Sequence, residues 1–149
     1  MDNTDIALLV LMQQDGRASF TSLAKAVGIS ENAVRQRVQR LLREELMQIV
    51  AVTDPANVGL RRRAMVGISV DGGDPHEVAG RLSALPNVHY VARCAGRYDV
   101  LAELVCRDDE HLREVLSEDV RSIPGVSRTE LFVYLTQAKH NFAWGKLTA

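Results

Sequence analysis

The sequence predicts an α+β protein with an N-terminal winged helix-turn-helix domain and a C-terminal ferredoxin-like βαββαβ domain. Two observations support this fold class. Apolar residues recur three and four positions apart until about residue 45, and they follow strand-like patterns in five later segments. Basic residues concentrate early: residues 17–63 hold nine Lys/Arg against four Asp/Glu, although the chain has a net charge of −1.

Length and composition are those of an ordinary globular protein, with 149 residues, 46% hydrophobic and 25% charged. No apolar run reaches the ~20 residues of a membrane span, and the acidic start MDNTD differs from a signal peptide. Two cysteines and four scattered histidines have neither disulfide-framework nor metal-ligand spacing. We therefore expect a cytoplasmic protein with no metal, no catalytic residues and no cofactor.

Three helices are predicted before residue 47. The first begins near Asp2 or Thr4 and ends at QQDGRAS, and the second runs from about Ser22 to Gly28. The third covers about Glu31 to Glu45. Only GIS separates the second helix from the third, and its glycine suits a left-handed turn. Helices joined by so short a turn cross steeply, as in a helix-turn-helix.

The third helix has an apolar face and a polar, basic face. Asn32, Arg35 and Gln36 lie near its start and have side chains able to form paired hydrogen bonds with base edges. Arg17, Lys25, Arg40 and Arg43 carry charge suited to phosphates. The predicted DNA-binding residues are Arg17, Ser30, Asn32, Arg35, Gln36, Gln39, Arg40 and Arg43. The alternative is an amphipathic helix whose arginines are merely solvated.

After the helices, MQIVAVT is strand-like and DPANVG is a turn. The remaining pattern is β-α-β-β-α-β, in which an antiparallel four-stranded sheet carries both helices on one face. A second copy of the domain is the simplest cover for the other face. The predicted domains are residues 1–47 for DNA binding, 48–62 as a linker strand and turn, and 63–149 as the ferredoxin-like domain.

The run DGRASFTSLAKAVGISENAVRQRVQRL is similar to the helix-turn-helix of the Lrp/AsnC (feast/famine) family of transcription regulators. In that family D-G-R, L-A, V-G-(L/I)-S, R-V and R-L recur at this spacing. DPANVG resembles the family's linker, GRYDVLAELV its G-x-x-D hairpin and PGVSRTELFVY its final strand. The resemblance covers nearly the whole chain. Two positions depart from it: Glu45 replaces a turn glycine, so the third helix runs on or the turn is reshaped, and Gln48-Ile49 replace a G-Y step.

The resemblance implies that the C-terminal domain forms dimers and rings and binds an amino acid between subunits. Asp99 would meet the ammonium group, and backbone N–H groups near Gly96 would meet the carboxylate. The implied effector-binding residues are Val88, His89, Ala95, Gly96, Arg97, Tyr98, Asp99, Phe132 and Tyr134. The alternatives are a plain turn at Gly96, a surface ion pair of Asp99 with Arg97 or Arg93, and ordinary sheet packing for the aromatic residues.

The resulting hypothesis is a nucleoid-associated transcription regulator, a homodimer or a ring of dimers (tetramer or octamer), that binds double-stranded DNA without membrane contact. Paired recognition helices would enter successive major grooves, and an effector would change the spacing of the DNA-binding heads. Two alternatives stay open at this point. Siroheme decarboxylases resemble the same two-domain architecture, although the histidines here do not cluster. An effector-independent protein that compacts DNA is the other.

Overall fold

Three helices, α1 (Asn3–Gln14), α2 (Phe20–Val27) and α3 (Glu31–Arg43), form the start of the chain in the computed structural model, which describes residues 1–139. Residues 1–51 belong to one structural unit and residues 52–137 make up a second. His140 and the rest of the predicted domain end, residues 140–149, lie outside the described residues. Within residues 1–139 no helix is long and apolar enough to cross a membrane.

Each of the three helices begins at a polar capping residue. The side chains of Asp2, Ser19 and Ser30 each accept a hydrogen bond from the backbone N–H three residues later. Gly28 ends α2 with a φ of 73°, the left-handed conformation that glycine adopts without strain. The tight turn predicted from GIS is therefore confirmed. One core cluster of this unit draws on all three helices and consists of Leu8, Met12, Leu23, Ala24, Val34 and Val38.

The end of α3 keeps a glycine-type turn although no glycine is present. Glu45 has a φ of 55°, its N–H donates to the carbonyl of Leu42 at 3.2 Å, and the N–H of Leu46 donates to the carbonyl of Leu41 at 3.0 Å. These two bonds form the Schellman arrangement that closes many helices. The helix therefore stops at Arg43, and Glu45 takes up the left-handed position.

The strand predicted over residues 47–53 was wrong, and no wing strand follows the three helices within residues 1–51. Residues 47–54 have no regular secondary structure, and residues 1–51 contain no strand. A strand needs a ladder partner, and the four strands of the described chain pair only with one another. Ile49, Val50 and Val52 consequently remain more than half exposed, at 52%, 68% and 57%.

The second unit is the predicted βαββαβ fold, after a short 3₁₀ turn at Pro55–Val58. Its strands are β1 (Arg62–Val70), β2 (Val88–Arg93), β3 (Val100–Cys106) and β4 (Val126–Val133), in the order β2-β3-β1-β4 and antiparallel throughout. Helix α4 spans Pro75–Ser83, and α5 spans Asp109–Glu114 and continues as a π-helical turn over Val115–Val120. The α+β class and the ferredoxin-like topology are confirmed.

The two faces of this sheet differ in their cover. One face packs against both helices: Val66, Ala102 and Leu104 join Leu82 of α4 and Leu112 of α5 in one core. Strand alternation turns the intervening residues to the opposite face. We call that face the open face; it carries Arg63, Met65, Gly67, Tyr90, Leu101, Glu103, Glu130 and Phe132. Tyr90 and Phe132 are 52% and 45% exposed there.

Candidate functional site

The outer face of α3 presents a continuous polar stripe. Five predicted DNA-binding residues are exposed on α3 itself: Asn32, Arg35, Gln36, Gln39 and Arg43. Their spacing of three, one, three and four residues places them along one side of a helix. Ser30 lies at the start of the stripe, where its hydroxyl caps the helix by accepting the Ala33 N–H at 3.2 Å. The stripe has the length and chemistry of a surface that reads bases at its start and phosphates at its end.

Arg40 lies beside this stripe and has a different partner. Its Nη2 is 2.6 Å from Oδ2 of Asp5 on α1, whose carboxylate is only 1% exposed. Arg37 donates to the same Asp5 at 2.8 Å and to Asp2 at 2.7 Å. The predicted phosphate contact of Arg40 thus competes with an internal ion pair. Sequence inspection missed this role because Asp5 is 35 residues away along the chain.

The charge state of Asp5 follows from these contacts. Burial alone raises the pKa of its carboxyl group, but the backbone N–H of Asp2 and the guanidinium groups of Arg37 and Arg40 outweigh burial and lower the pKa to about 2. Asp5 is therefore ionised at neutral pH, and its charge fixes the two arginines to the first helix. This network positions α3 without using the polar stripe.

Arg17 and Lys25 extend the basic surface of the first unit. Arg17 is exposed in the turn after α1, where its backbone N–H donates to Oδ1 of Asp15 at 2.9 Å. Lys25 is exposed in the last turn of α2. Both side chains are available for phosphate contacts, as predicted for flanking residues of a major-groove helix.

In the second unit, the hairpin between β2 and β3 uses Asp99 as an internal anchor. The Val70 N–H donates to Oδ2 of Asp99 at 2.8 Å, and the Asp99 N–H donates to the Ile68 carbonyl at 2.9 Å. Within residues 1–139 Asp99 forms no ion pair, and its second carboxylate oxygen makes no hydrogen bond. The surface ion pair with Arg97 or Arg93, left open as an alternative, is therefore not formed.

A cavity of about 330 Å³ opens beside this anchor. It is lined by Asp74, Pro75, Arg93, Cys94, Ala95 and Asp99. Two of these residues, Ala95 and Asp99, were predicted as effector contacts, whereas the contributions of Arg93, Cys94 and the start of α4 were not. The volume lies within the ~300–1,000 Å³ range of small-ligand pockets. Carboxylates and a guanidinium in one cavity suit a ligand that carries both charges.

Other predicted effector residues lie on the open face instead. The Tyr98 ring covers Gly67, and its hydroxyl donates a hydrogen bond to the Glu130 carboxylate, which raises the pKa of Tyr98. Arg97 Nη2 is 3.2 Å from the same carboxylate. Phe132 meets the Tyr98 ring edge-on, with centroids 6.3 Å apart. Gly96 is exposed at the tip of the hairpin. The predicted effector residues of the hairpin therefore lie at two places, some in the cavity and others on the open face.

A second polar cluster on the open face surrounds Glu103. Arg63 Nη2 lies 2.7 Å from Oε1 of Glu103, and His89 Nε2 lies 3.2 Å from Oε2. The Arg63 guanidinium also stacks 5.5 Å from the centroid of the Tyr134 ring. Burial and the nearby Glu103 charge raise the pKa of Tyr134. His89 and Tyr134, two predicted effector residues, are thus brought together by a glutamate that sequence inspection missed.

Val88 is a correction to the predicted effector site. It is 8% exposed and belongs to the core between sheet and helices. A register shift lies between Val88 and Tyr90, so the alternation of β2 changes there and Val88 faces inward. No sequence signal marks this shift, since bulges depend on pairing with the neighbouring strand. The Val88 side chain therefore packs in the core and does not line the cavity beside Asp99.

Both structural units are similar to known protein families. Residues 1–42 match the family model of the AsnC-type helix-turn-helix domain, and residues 63–144 match that of the Lrp/AsnC ligand binding domain. An uncharacterised helix-turn-helix transcriptional regulator of Pyrococcus abyssi is 28% identical, over 96% of this chain and 91% of its own. This relative and the family models favour a regulator over a siroheme decarboxylase.

Two solved structures have the same fold. The leucine response regulatory protein of Mycobacterium tuberculosis has a TM-score of 0.83 and 27% identity, over 94% of this chain and 96% of its own. A transcriptional regulator of Neisseria meningitidis, solved in complex with L-methionine, has a TM-score of 0.86 and 23% identity, over 99% and 96% of the two chains. The second likeness concerns the fold alone.

Proposed function

Because this chain belongs to the Lrp/AsnC family of DNA-binding transcriptional regulators, we propose that it reads its operator with α3 and responds to an amino acid bound by its second unit. The observation that carries the DNA half is the exposed stripe from Asn32 to Arg43. Arg35, Asn32 and Gln36 contact base edges, and Gln39, Arg43, Arg17 and Lys25 contact the backbone. Arg40 acts mainly through Asp5.

The proposed organisation keeps the three parts expected from the sequence. Residues 1–47 bind DNA, residues 48–62 connect, and residues 63–149 bind the effector and other copies of the chain. The protein works in the cytoplasm on the nucleoid and has no catalytic activity of its own. Its action is that of a switch, in which effector binding changes the affinity or spacing of the DNA-binding units.

The open face supports assembly from two or more copies. Tyr90, Met65 and Phe132 offer aromatic and apolar surface around the Glu103 and Glu130 clusters, a composition typical of protein interfaces. A second copy of the same face would cover them and bury the charged clusters in matched pairs. We therefore propose a homodimer built on this face, with rings of dimers as the larger assembly.

The cavity beside Asp99 is the proposed start of the effector site. The free oxygen of Asp99 and the carboxylate of Asp74 suit an ammonium group, and Arg93 suits a carboxylate. The Neisseria meningitidis regulator, which has this fold, was solved with L-methionine, and that complex supports an amino acid as the ligand class. Residues of a neighbouring copy would complete the site.

The DNA half is tested by selecting duplexes from a random-sequence pool with the full-length protein. We expect one enriched pseudo-palindromic sequence, which Arg35→Ala binds at least about tenfold more weakly than wild type. Arg113→Ala removes an exposed arginine from α5 and serves as the matched control, with unchanged binding. Equal binding by Arg35→Ala and wild type would contradict the proposal.

The effector half is tested by calorimetric titration of the full-length protein with each of the twenty amino acids. Asp99→Asn keeps an oxygen for the Val70 N–H but removes the charge, so we expect it to lose the heat of binding. Asp119→Asn, an exposed carboxylate elsewhere in the unit, is the control. If no amino acid gives heat, or if Asp99→Asn binds as wild type does, the site is not this one.

A further inference from the structure

Arg35 is held in place by residues of two helices before any DNA is present. Its guanidinium carbon lies 4.9 Å from the centroid of the Phe20 ring, at the first residue of α2. Its Nη2 also lies 3.3 Å from Oε1 of Glu31, one turn earlier on α3. We propose that Phe20, Thr21 and Glu31 are positioning residues that hold Arg35 ready to read a guanine in the major groove.

The contacts form a chain that begins on α2 and ends at the guanidinium. The hydroxyl of Thr21 donates to Oε2 of Glu31 at 2.8 Å, so the two oxygens of Glu31 have separate partners. Thr21 thereby prevents free rotation of the carboxylate that holds Arg35. Phe20 adds a second contact to the guanidinium, since a cation within about 6 Å of an aromatic ring is attracted to its face.

The arrangement leaves the reading edge of the arginine free. Arg35 is 49% exposed, and within residues 1–139 its only hydrogen bond is the one to Glu31. An arginine has five N–H donors, so a pair remains for O6 and N7 of guanine. Arg35 also lies close to the N-terminus of α3, the part of a recognition helix that contacts base edges.

The benefit of such a site is conformational. A long side chain free in solution loses rotamer freedom when it binds a base, and a side chain already held by a ring and a carboxylate loses less. Stacking by a residue of the neighbouring helix makes this more than a surface ion pair of neighbouring turns, which contributes little by itself. The inference rests on the proposed role of Arg35 and adds what prepares it.

The test measures affinity for the duplex selected by wild type, with a shuffled duplex of equal composition as the nonspecific probe. Phe20→Leu keeps an apolar side chain but removes the ring, and we expect roughly fivefold weaker binding to the selected duplex with unchanged binding to the shuffled one. Phe20→Trp keeps a ring and is expected to retain wild-type affinity. Selection repeated with Phe20→Leu should lose the preference for one guanine in each half-site.

The same experiment includes a double-mutant cycle. In an Arg35→Ala background, Phe20→Leu should have no further effect on binding to the selected duplex. If Phe20→Leu does not fold, Thr21→Val tests the same inference, because it alters no buried residue. We expect it to bind the selected duplex roughly threefold more weakly than wild type.

Two results would overturn the inference in different ways. If Arg35→Ala weakens binding while Phe20→Leu and Thr21→Val match wild type, or if the effects of Phe20→Leu and Arg35→Ala add, Arg35 reads DNA without help from these residues. If Arg35→Ala itself binds as wild type does, the proposed DNA interface is wrong and the positioning role is lost with it.

Discussion

Arg40 Nη2 lies 2.6 Å from Oδ2 of Asp5, so a carboxylate with 1% exposure ties α3 to the first helix of the chain. Arg37 reaches the same carboxylate from the adjacent turn at 2.8 Å. The arginines of α3 therefore have two different roles. Some arginines support the position of the helix, while Arg35 and Arg43 face outward from it.

Asp5→Asn should destabilise the N-terminal unit by about 2 kcal/mol at neutral pH, because two guanidinium groups would lose the buried charged partner whose pKa they hold at about 2. Chemical denaturation followed by the helical circular dichroism signal measures this. Glu44→Gln, an exposed carboxylate of the same unit, is the matched control and should remain within about 0.5 kcal/mol of wild type. Equal losses in both variants would contradict a special role for Asp5.

The same pair predicts a pH dependence. The pKa of Asp5 is about 2 in the folded protein, below its ordinary 3.8. A depressed carboxyl pKa stabilises the fold above the ordinary value, and the contribution disappears as pH falls from about 4 toward 2. The stability difference between wild type and Asp5→Asn should shrink over this window. A difference that stays constant down to pH ~2 would be inconsistent with an ionised Asp5.

Glu45→Gly should stabilise the N-terminal unit by about 0.5–1 kcal/mol, because glycine adopts the φ of 55° at this position without steric cost. The adjacent Glu44 has a φ of −84°, so Glu44→Gly should destabilise by adding freedom to the unfolded chain. Thermal unfolding of the two variants checks the pair. A loss of stability in Glu45→Gly would mean that the glutamate side chain makes a contact worth more than the strain.

Gly67→Ala should destabilise the second unit by about 1–3 kcal/mol. A Cβ atom at this position would lie 2.7 Å from the Tyr98 ring, which must then leave the sheet surface. Tyr98→Ala in addition should recover most of the loss that the clash causes. Gly80→Ala in α4 is the control, since nothing lies within 4 Å of its Cβ position and alanine favours a helix. The thermal unfolding midpoints of Gly67→Ala, Gly67→Ala/Tyr98→Ala and Gly80→Ala measure these differences in stability.

Glu130→Gln should lower the pKa of Tyr98. The hydrogen bond from the Tyr98 hydroxyl to the Glu130 carboxylate is the main reason that this pKa is raised, and the amide removes the negative charge. Alkaline titration of tyrosinate absorbance, with Tyr98→Phe to identify the transition, measures the shift. Glu118→Gln, an exposed glutamate outside the cluster, should leave the titration unchanged. An unchanged Tyr98 transition in Glu130→Gln would show that the hydrogen bond does not control it.

Local patterns predicted the fold well. The GIS turn, the start of α1 at Asp2 and the hairpin at Gly96 follow from backbone preferences of single residues, and all are present, whereas α2 begins at Phe20 and not near the predicted Ser22. The strand at residues 47–53 failed for a different reason. Its sequence favours an extended chain, but a strand also needs a partner, and the other four strands pair among themselves.

The site was harder to predict because its contacts join distant parts of the chain. Helical spacing placed Arg40 near the reading face, but only the fold brings Asp5 beside it. Strand pairing determines the bulge that buries Val88. It also determines the hydrogen bond from the Val70 N–H to the Asp99 carboxylate. The Glu31 and Arg35 pair could have been found, since a separation of four residues places both on one side of a helix.

The most direct test of the central claim is the affinity of Asn32→Ala/Gln36→Ala for the duplex selected by wild type. The two amides are exposed on the reading face and carry no charge, so their loss should weaken specific binding at least about tenfold and leave binding to a shuffled duplex unchanged. Gln13→Ala/Gln14→Ala removes two exposed amides from α1 and should bind as wild type does. Equal affinity of both double variants for the selected duplex would contradict the claim that α3 reads the DNA sequence.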